Sequence, residues 1–175
     1  MSLKPNQAVP PLVVPLVDGG TFTLADAAPQ HFTLVVFYRG LHCPVCRRYL
    51  GELEKHVAQF EERGVEVLAL STDPADRAAR SRKEWQLPTL RLGYGLDVDD
   101  ARRWGLYISE GRGASSAGVD EPTRFAEPGV FLVRPDGRLY WVCVSSMPFA
   151  RPPVEEILKG VDFVIGKDYP ARGDA

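Results

Sequence analysis

The residues with the most chemistry to offer stand together at positions 42–46, His-Cys-Pro-Val-Cys, inside LVVFYRGLHCPVCRRYL. Pro44 marks a helix start here, because its fixed φ and missing N–H suit the first helical position. Cys43 then becomes the N-cap and Cys46 the third helical residue. The N–H groups of a first turn lack partners within the helix, and with the helix dipole they favour negative charge. Thiolate is the negative and reactive form of cysteine. Two cysteines at this spacing can also close a small disulfide ring, so that one sulfur attacks a substrate and the other resolves the product. Cys46 falls on the apolar face of the helix, four residues before Leu50, whereas Cys43 at the cap is expected to reach solvent. Arg39, His42, Arg47 and Arg48 are candidate positive charges that would lower a thiol pKa. Arg47 and Arg48 read equally well as solvated surface charges.

Two other readings of the pair are weaker. A zinc site needs four ligands, and the remaining Cys143, His31, His42 and His56 do not fall at a zinc-ribbon spacing. Haem attachment would need His where Arg47 stands. Two inert buried cysteines fit poorly with a proline-led helix start. Cys143, in the alternating stretch LYWVCVSS, reads as a small buried hydrophobe, with a resolving role as the alternative.

The elements that must position CPVC follow from periodicity. FTLVVFY is a continuous apolar run of strand length, as in a strand covered on both faces. Cys46, Leu50, Leu53, Val57 and Phe60 form one helical stripe, which Gly64 closes. VEVLALST is a second buried strand, after which Asp73 is placed to cap a helix beginning at Pro74. TLRLGY predicts a strand and DVDDARRWGL a short helix with acidic residues at its start. YISEGRGASSAGVDEPTRFAEP, rich in Gly, Ser and Pro, reads as a long surface loop. GVFLVRPDGRLYWVCV is a hairpin around an Asp-Gly turn. Ile157, Leu158, Val161, Val164 and Ile165 share a face of a final helix. The expected organisation is one domain over 1–175, with an N-terminal hairpin at 10–25, a core at 32–166 and a frayed tail at 167–175. A βαβ unit followed by an antiparallel hairpin and a closing helix is the thioredoxin-type plan, an α/β fold with a mixed central sheet flanked by helices.

Composition narrows the partners. With 175 residues, 45% hydrophobic and 25% charged, the chain supports one core of ordinary size. A net charge of −2 gives no electrostatic case for nucleic acid or an anionic membrane surface. Prolines break the apolar run near the amino terminus, which argues against a signal peptide, and no stretch has the length of a membrane span. Three cysteines do not look like an extracellular disulfide framework. The expectation is a cytoplasmic protein without a metal or prosthetic cofactor.

The sequence resembles the AhpC/TSA family, the peroxiredoxin-like branch of the thioredoxin superfamily. The likeness rests on PPLVVPLVDGGTFTLAD, on LVVFYRGLHCPVC, on VEVLALSTDP and on FLVRPDGRL. FYRGLHCPVC is similar to the FYRGxWCPxC members in particular. Family members typically carry PxxxTxxC, in which the last Cys attacks peroxide, the Thr and a distant Arg hold its oxygens, and the Pro shields the site. That pattern places Arg39 at the Pro, Cys43 at the Thr and Cys46 at the attacking Cys. Where the family has its distant Arg, EPGVFLV has Pro128. Thioredoxin-like disulfide reductases resemble this arrangement, with a cis-proline in that column facing the CxxC.

The leading expectation is therefore thiol–disulfide exchange through a Cys43–Cys46 pair, with a cis Pro128 and a neighbouring backbone free to pair with a substrate chain. The alternative is reduction of hydroperoxide through a cysteine sulfenic acid, with Arg39 or Arg124 polarising the peroxide. A redox sensor without turnover is the third reading. A thioredoxin- or glutathione-type reductant and a homodimer are what the resemblance implies about partners.

Overall fold

In the computed structural model the described residues are 3–175; Met1 and Ser2 lie outside them. The uninterrupted apolar run becomes β3 (Phe32–Phe37), every residue of it buried. A strand of that kind needs partners on both edges and cover on both faces. It pairs in parallel with β4 (Val65–Leu70) and antiparallel with β8 (Gly129–Val133). With β5 (Arg91–Gly93) and β9 (Leu139–Val144) the sheet has the order β5-β4-β3-β8-β9. Helices α1 (Pro44–Glu62), α2 (Ala75–Glu84), α3 (Val98–Arg103) and α4 (Val154–Lys167) complete the plan. This is the expected mixed sheet flanked by helices.

Alternation along β3 divides the core in two. Leu34 and Val36 pack with the α1 stripe and with Ile157, Leu158 and Val161 of α4. Val35 and Phe37 join Phe131, Val133 and Trp104 on the other face, where Trp104 meets Phe131 edge to face. An N-terminal hairpin of β1 (Val13–Pro15) and β2 (Thr21–Thr23) covers this second face with Val14 and Phe22. Among the described residues no helix is long and apolar enough to cross a membrane.

Three expectations are corrected. Residues 107–128 are not an open loop: β6 (Ile108–Glu110) and β7 (Arg124–Ala126) pair antiparallel within them, and Phe125 is fully buried. Asp73 does not cap α2, whose N-cap is Pro74 without a side-chain bond. Its carboxylate instead turns inward to accept from the Leu41 N–H at 2.7 Å, where burial leaves no water to compete. The tail is tied down and not frayed. Tyr140 donates to the Tyr169 carbonyl, Asn6 Nδ2 to Asp174, and Lys4 to the Ala175 carbonyl, while Ala171 is buried.

Candidate active site

The site lies where β3 leaves the sheet and α1 begins. Gly40 has φ +134°, a conformation glycine adopts without strain. A Cβ there would stand 2.7 Å from the Asp73 carboxylate. That carboxylate holds the Leu41 N–H and takes a second bond from Arg77 Nε at 3.0 Å. The Cys43 N–H then donates to the Gly40 carbonyl at 3.1 Å, which sets the chain to enter α1. Pro44 is the first helical residue and Cys43 the N-cap, as the sequence predicts.

Cys43 caps with sulfur. The Cys46 N–H donates to Cys43 Sγ at 3.2 Å, so an otherwise unpaired N–H of the first turn points at this atom. Both thiols are free, and both are buried, at 1% and 0% exposure, so the expected solvent contact of Cys43 is not found. Phe125 of β7 packs on His42, and Arg151 of the segment 145–153 reaches Cys46. The pair is electrostatically asymmetric. The Cys46 S–H and N–H both donate to Cys43 and, with help from Arg151 and Arg39, bring its pKa down to about 6 against the cost of burial. Burial, and then the neighbouring Cys43 sulfur, push Cys46 up. The asymmetry favours negative charge on Cys43 over Cys46.

The other predicted residues divide sharply. Arg39 is at the site, but its charge is taken up. Its Nε lies 3.1 Å from Glu127 and its Nη2 3.5 Å from Glu121, and its guanidinium covers the Phe125 ring at 4.7 Å. His42 is fully buried, tilted against Phe125 with ring centres 4.6 Å apart. Burial and the Arg39 charge lower its pKa to about 4, so it brings no positive charge at neutral pH, contrary to expectation. Arg47 and Arg48 are exposed. Arg124 is a correction: it is 56% exposed on β7, facing Glu110, because strand alternation turns Phe125 inward and Arg124 outward. Cys143 is half-buried on β9, with its pKa raised by burial.

Pro128 is a second correction. No peptide bond among the described residues is cis. The backbone beside it is also occupied: Glu127 N–H donates to the Tyr107 carbonyl at 2.8 Å, and the Pro128 carbonyl accepts from Ser145 at 3.0 Å. The insertion with β6 and β7 has taken the bond a substrate strand would use.

Arg151 escaped sequence reasoning. It precedes α4, and its Nη2 lies 3.1 Å from Cys46 Sγ. Nothing in SMPFARPP signals this, since the contact depends on how the segment folds back over α1. Tyr49 fixes that fold: its hydroxyl donates to the Pro152 carbonyl at 2.9 Å, and the Arg151 guanidinium stacks on its ring at 4.9 Å.

Two clefts flank the turn. One of about 640 Å³ is lined by Arg39, Ser109, Arg112, Glu121 and Glu127. The other, about 420 Å³, lies between the starts of α1 and α4 and is lined by Val45, Tyr49, Pro148 and Arg151. Glu52, His56 and Glu155 bring ligand atoms within 4.8 Å of one another beside it. Glu52 is already paired with Lys55, and its carbonyl with His56 Nδ1, as in an ordinary helix-surface network.

Known proteins share this architecture. The AhpC/TSA family model matches residues 5–142. A Mycobacterium tuberculosis protein that carries a peroxiredoxin name provisionally is 26% identical over 138 residues, 78% of this chain and 82% of that one. The 1-Cys peroxiredoxin PER1 of Arabidopsis thaliana is 31% identical over 78 residues, and the match spans 45% of this chain but only 34% of that relative. The crystal structure of Enterococcus faecalis AhpC superposes with a TM-score of 0.73 at 18% identity, covering 98% of this chain and 99% of that one. At that identity the likeness is one of fold.

Proposed function

The chain belongs to the AhpC/TSA family, and from that premise we propose that it is a thiol peroxidase in which Cys43 attacks a hydroperoxide and Cys46 resolves the product. The observation that carries this reading is the Cys46 N–H directed at Cys43 Sγ at 3.2 Å on the first turn of α1. It favours a thiolate on Cys43, the form that attacks. The attack breaks the peroxide O–O bond, leaves a sulfenic acid on Cys43 and releases an alcohol or water. The Cys46 thiol then condenses with the sulfenic acid, forming a disulfide and expelling water. Two equivalents of an external thiol restore the dithiol and leave as their own disulfide. No metal or prosthetic group is needed at any step.

Burial supports a small substrate. A sulfur 1% exposed is reached by hydrogen peroxide or a small organic hydroperoxide more readily than by a protein disulfide. The bonds already made on both sides of Pro128 weigh the same way, against strand-like capture of a polypeptide.

The test is peroxide consumption in the presence of dithiothreitol by wild type, Cys43→Ser and Cys46→Ser. Cys43→Ser is expected to consume none, and Cys46→Ser, given one equivalent of peroxide without dithiothreitol, to stop at a dimedone-reactive sulfenic acid. Consumption that survives Cys43→Ser and vanishes in Cys46→Ser would reverse the roles. Reduction of an insulin disulfide without any peroxide turnover would restore the disulfide-exchange reading.

A further inference from the structure

Two arginines approach the cysteine turn, and they differ in what else they hold. Arg39 lies between Glu121 and Glu127, which neutralise it. Arg151 has no carboxylate within ion-pair distance among the described residues. Its Nε is bonded to the Pro148 carbonyl at 2.8 Å and its Nη2 to Cys46 Sγ at 3.1 Å, while Nη1 is buried without a partner. The guanidinium is also fixed in direction by stacking on Tyr49. A half-buried cation that keeps its charge unpaired and aims it at sulfur is placed to receive a negative charge there.

We propose that Arg151 is the catalytic cation of the second half-reaction, holding Cys46 as a thiolate when it closes the disulfide and again when an incoming thiol expels it. This role rests on the peroxidase reading, with Cys43 attacking first. On that reading the resting negative charge sits on Cys43, which accepts the Cys46 N–H at 3.2 Å, and Cys46 keeps its proton. Oxidation removes that charge: Cys43 becomes an uncharged sulfenic acid, and the repulsion that opposed a second thiolate is gone. Cys46 then loses its proton beside Arg151 and attacks the Cys43 sulfur. Hydroxide leaves that sulfur and takes up a proton, so the product is the disulfide and water. In the return step an external thiolate attacks Cys43, the S–S bond breaks, and its electron pair goes to Cys46, again beside Arg151. A second external thiol attacks the mixed disulfide, releases the Cys43 thiolate and leaves as an external disulfide. The charge thus moves across the turn once in each direction, and Arg151 faces the sulfur on which it arrives.

Arg151→Gln and Arg151→Lys test this in the full chain, each alone and combined with Cys43→Ser. After one equivalent of hydrogen peroxide, Arg151→Gln is expected to accumulate dimedone-reactive sulfenic acid, with disulfide formation about ten- to a hundredfold slower. Arg151→Lys is expected to recover part of that rate. In the Cys43→Ser background, the thiolate absorbance of Cys46 is expected to titrate at higher pH with Gln and to return partway with Lys. Disulfide formation at the wild-type rate in Arg151→Gln would overturn the proposal. So would an unmoved Cys46 titration, or equal slowing by Gln and Lys, which would mark Arg151 as a clamp on residues 145–153 only. Peroxide consumption that persists in Cys43→Ser alone is a separate result, and it would overturn the assignment of the attacking cysteine.

Discussion

The two sides of the CPVC turn are built differently. On the Cys43 side, residues 39–41 are held by carboxylates: Asp73 holds Leu41 and Arg77, and Glu121 and Glu127 flank Arg39 at ion-pair distance. On the Cys46 side, the segment 145–153 is held to α1 by one tyrosine hydroxyl and one stacked arginine whose charge remains unspent. The first arrangement gives geometry, and the second leaves charge available. Charge-compensated side chains make a rigid frame and contribute a weaker field, and Arg39 lowers the Cys43 pKa less than Arg151 does. The difference explains why Arg39, four residues before Cys43, is a weaker candidate to act on sulfur than Arg151.

Removing the frame should have the largest effect. Gly40→Ala forces a side chain into a positive-φ position and against the Asp73 carboxylate. A loss of about 3–5 kcal/mol is expected in urea unfolding. A loss under about 1 kcal/mol would show that the frame yields. His42 gives the next largest effect. Its folded pKa of about 4 lies below the ordinary 6.5, so between those values the unfolded chain binds the extra proton. Stability should fall as pH drops from 6.5 to 4, by on the order of 3 kcal/mol. His42→Phe should remove this slope, which urea midpoints at a series of pH values will read. Tyr49→Phe loosens the other side by deleting the bond to Pro152, with about 1 kcal/mol expected in thermal or urea unfolding. The smallest effect is electrostatic. Glu127→Gln frees part of the Arg39 charge, so the Cys43 thiolate should persist to lower pH by on the order of half a unit in an absorbance titration. An upward shift would mean that Glu127 acts on Cys43 other than through Arg39.

The cysteine turn was legible because its determinants are local. A proline after Cys43 starts the helix, and the cap bond spans three residues. The strands β3 and β4 and the apolar stripe of α1 were legible for a similar reason, since periodicity reports burial directly. What failed was tertiary. Residues 107–128 look like a loop because β6 and β7 are only three residues each, joined by a long glycine-containing connection. Without that hairpin in view, Arg124 and Arg39 were equal candidates and Pro128 had open backbone on either side. His42 shows how burial reverses a charge expectation: beside a thiol a histidine suggests a cation, but packed on Phe125 it is neutral. Arg151 could not be seen at all, for it lies 105 residues from the sulfur it touches.

The contact between Gly40 and Asp73 also has an evolutionary consequence. Both residues close a strand, one after β3 and the other after β4, and no space remains between a Cβ at 40 and the carboxylate at 73. The two positions therefore cannot drift independently. Relatives that keep an acid at the second should keep glycine at the first, and those that gain a side chain at the first should have a smaller or neutral residue at the second. An alignment deep enough to measure co-variation would show them as a coupled pair, although neither carries out any chemistry.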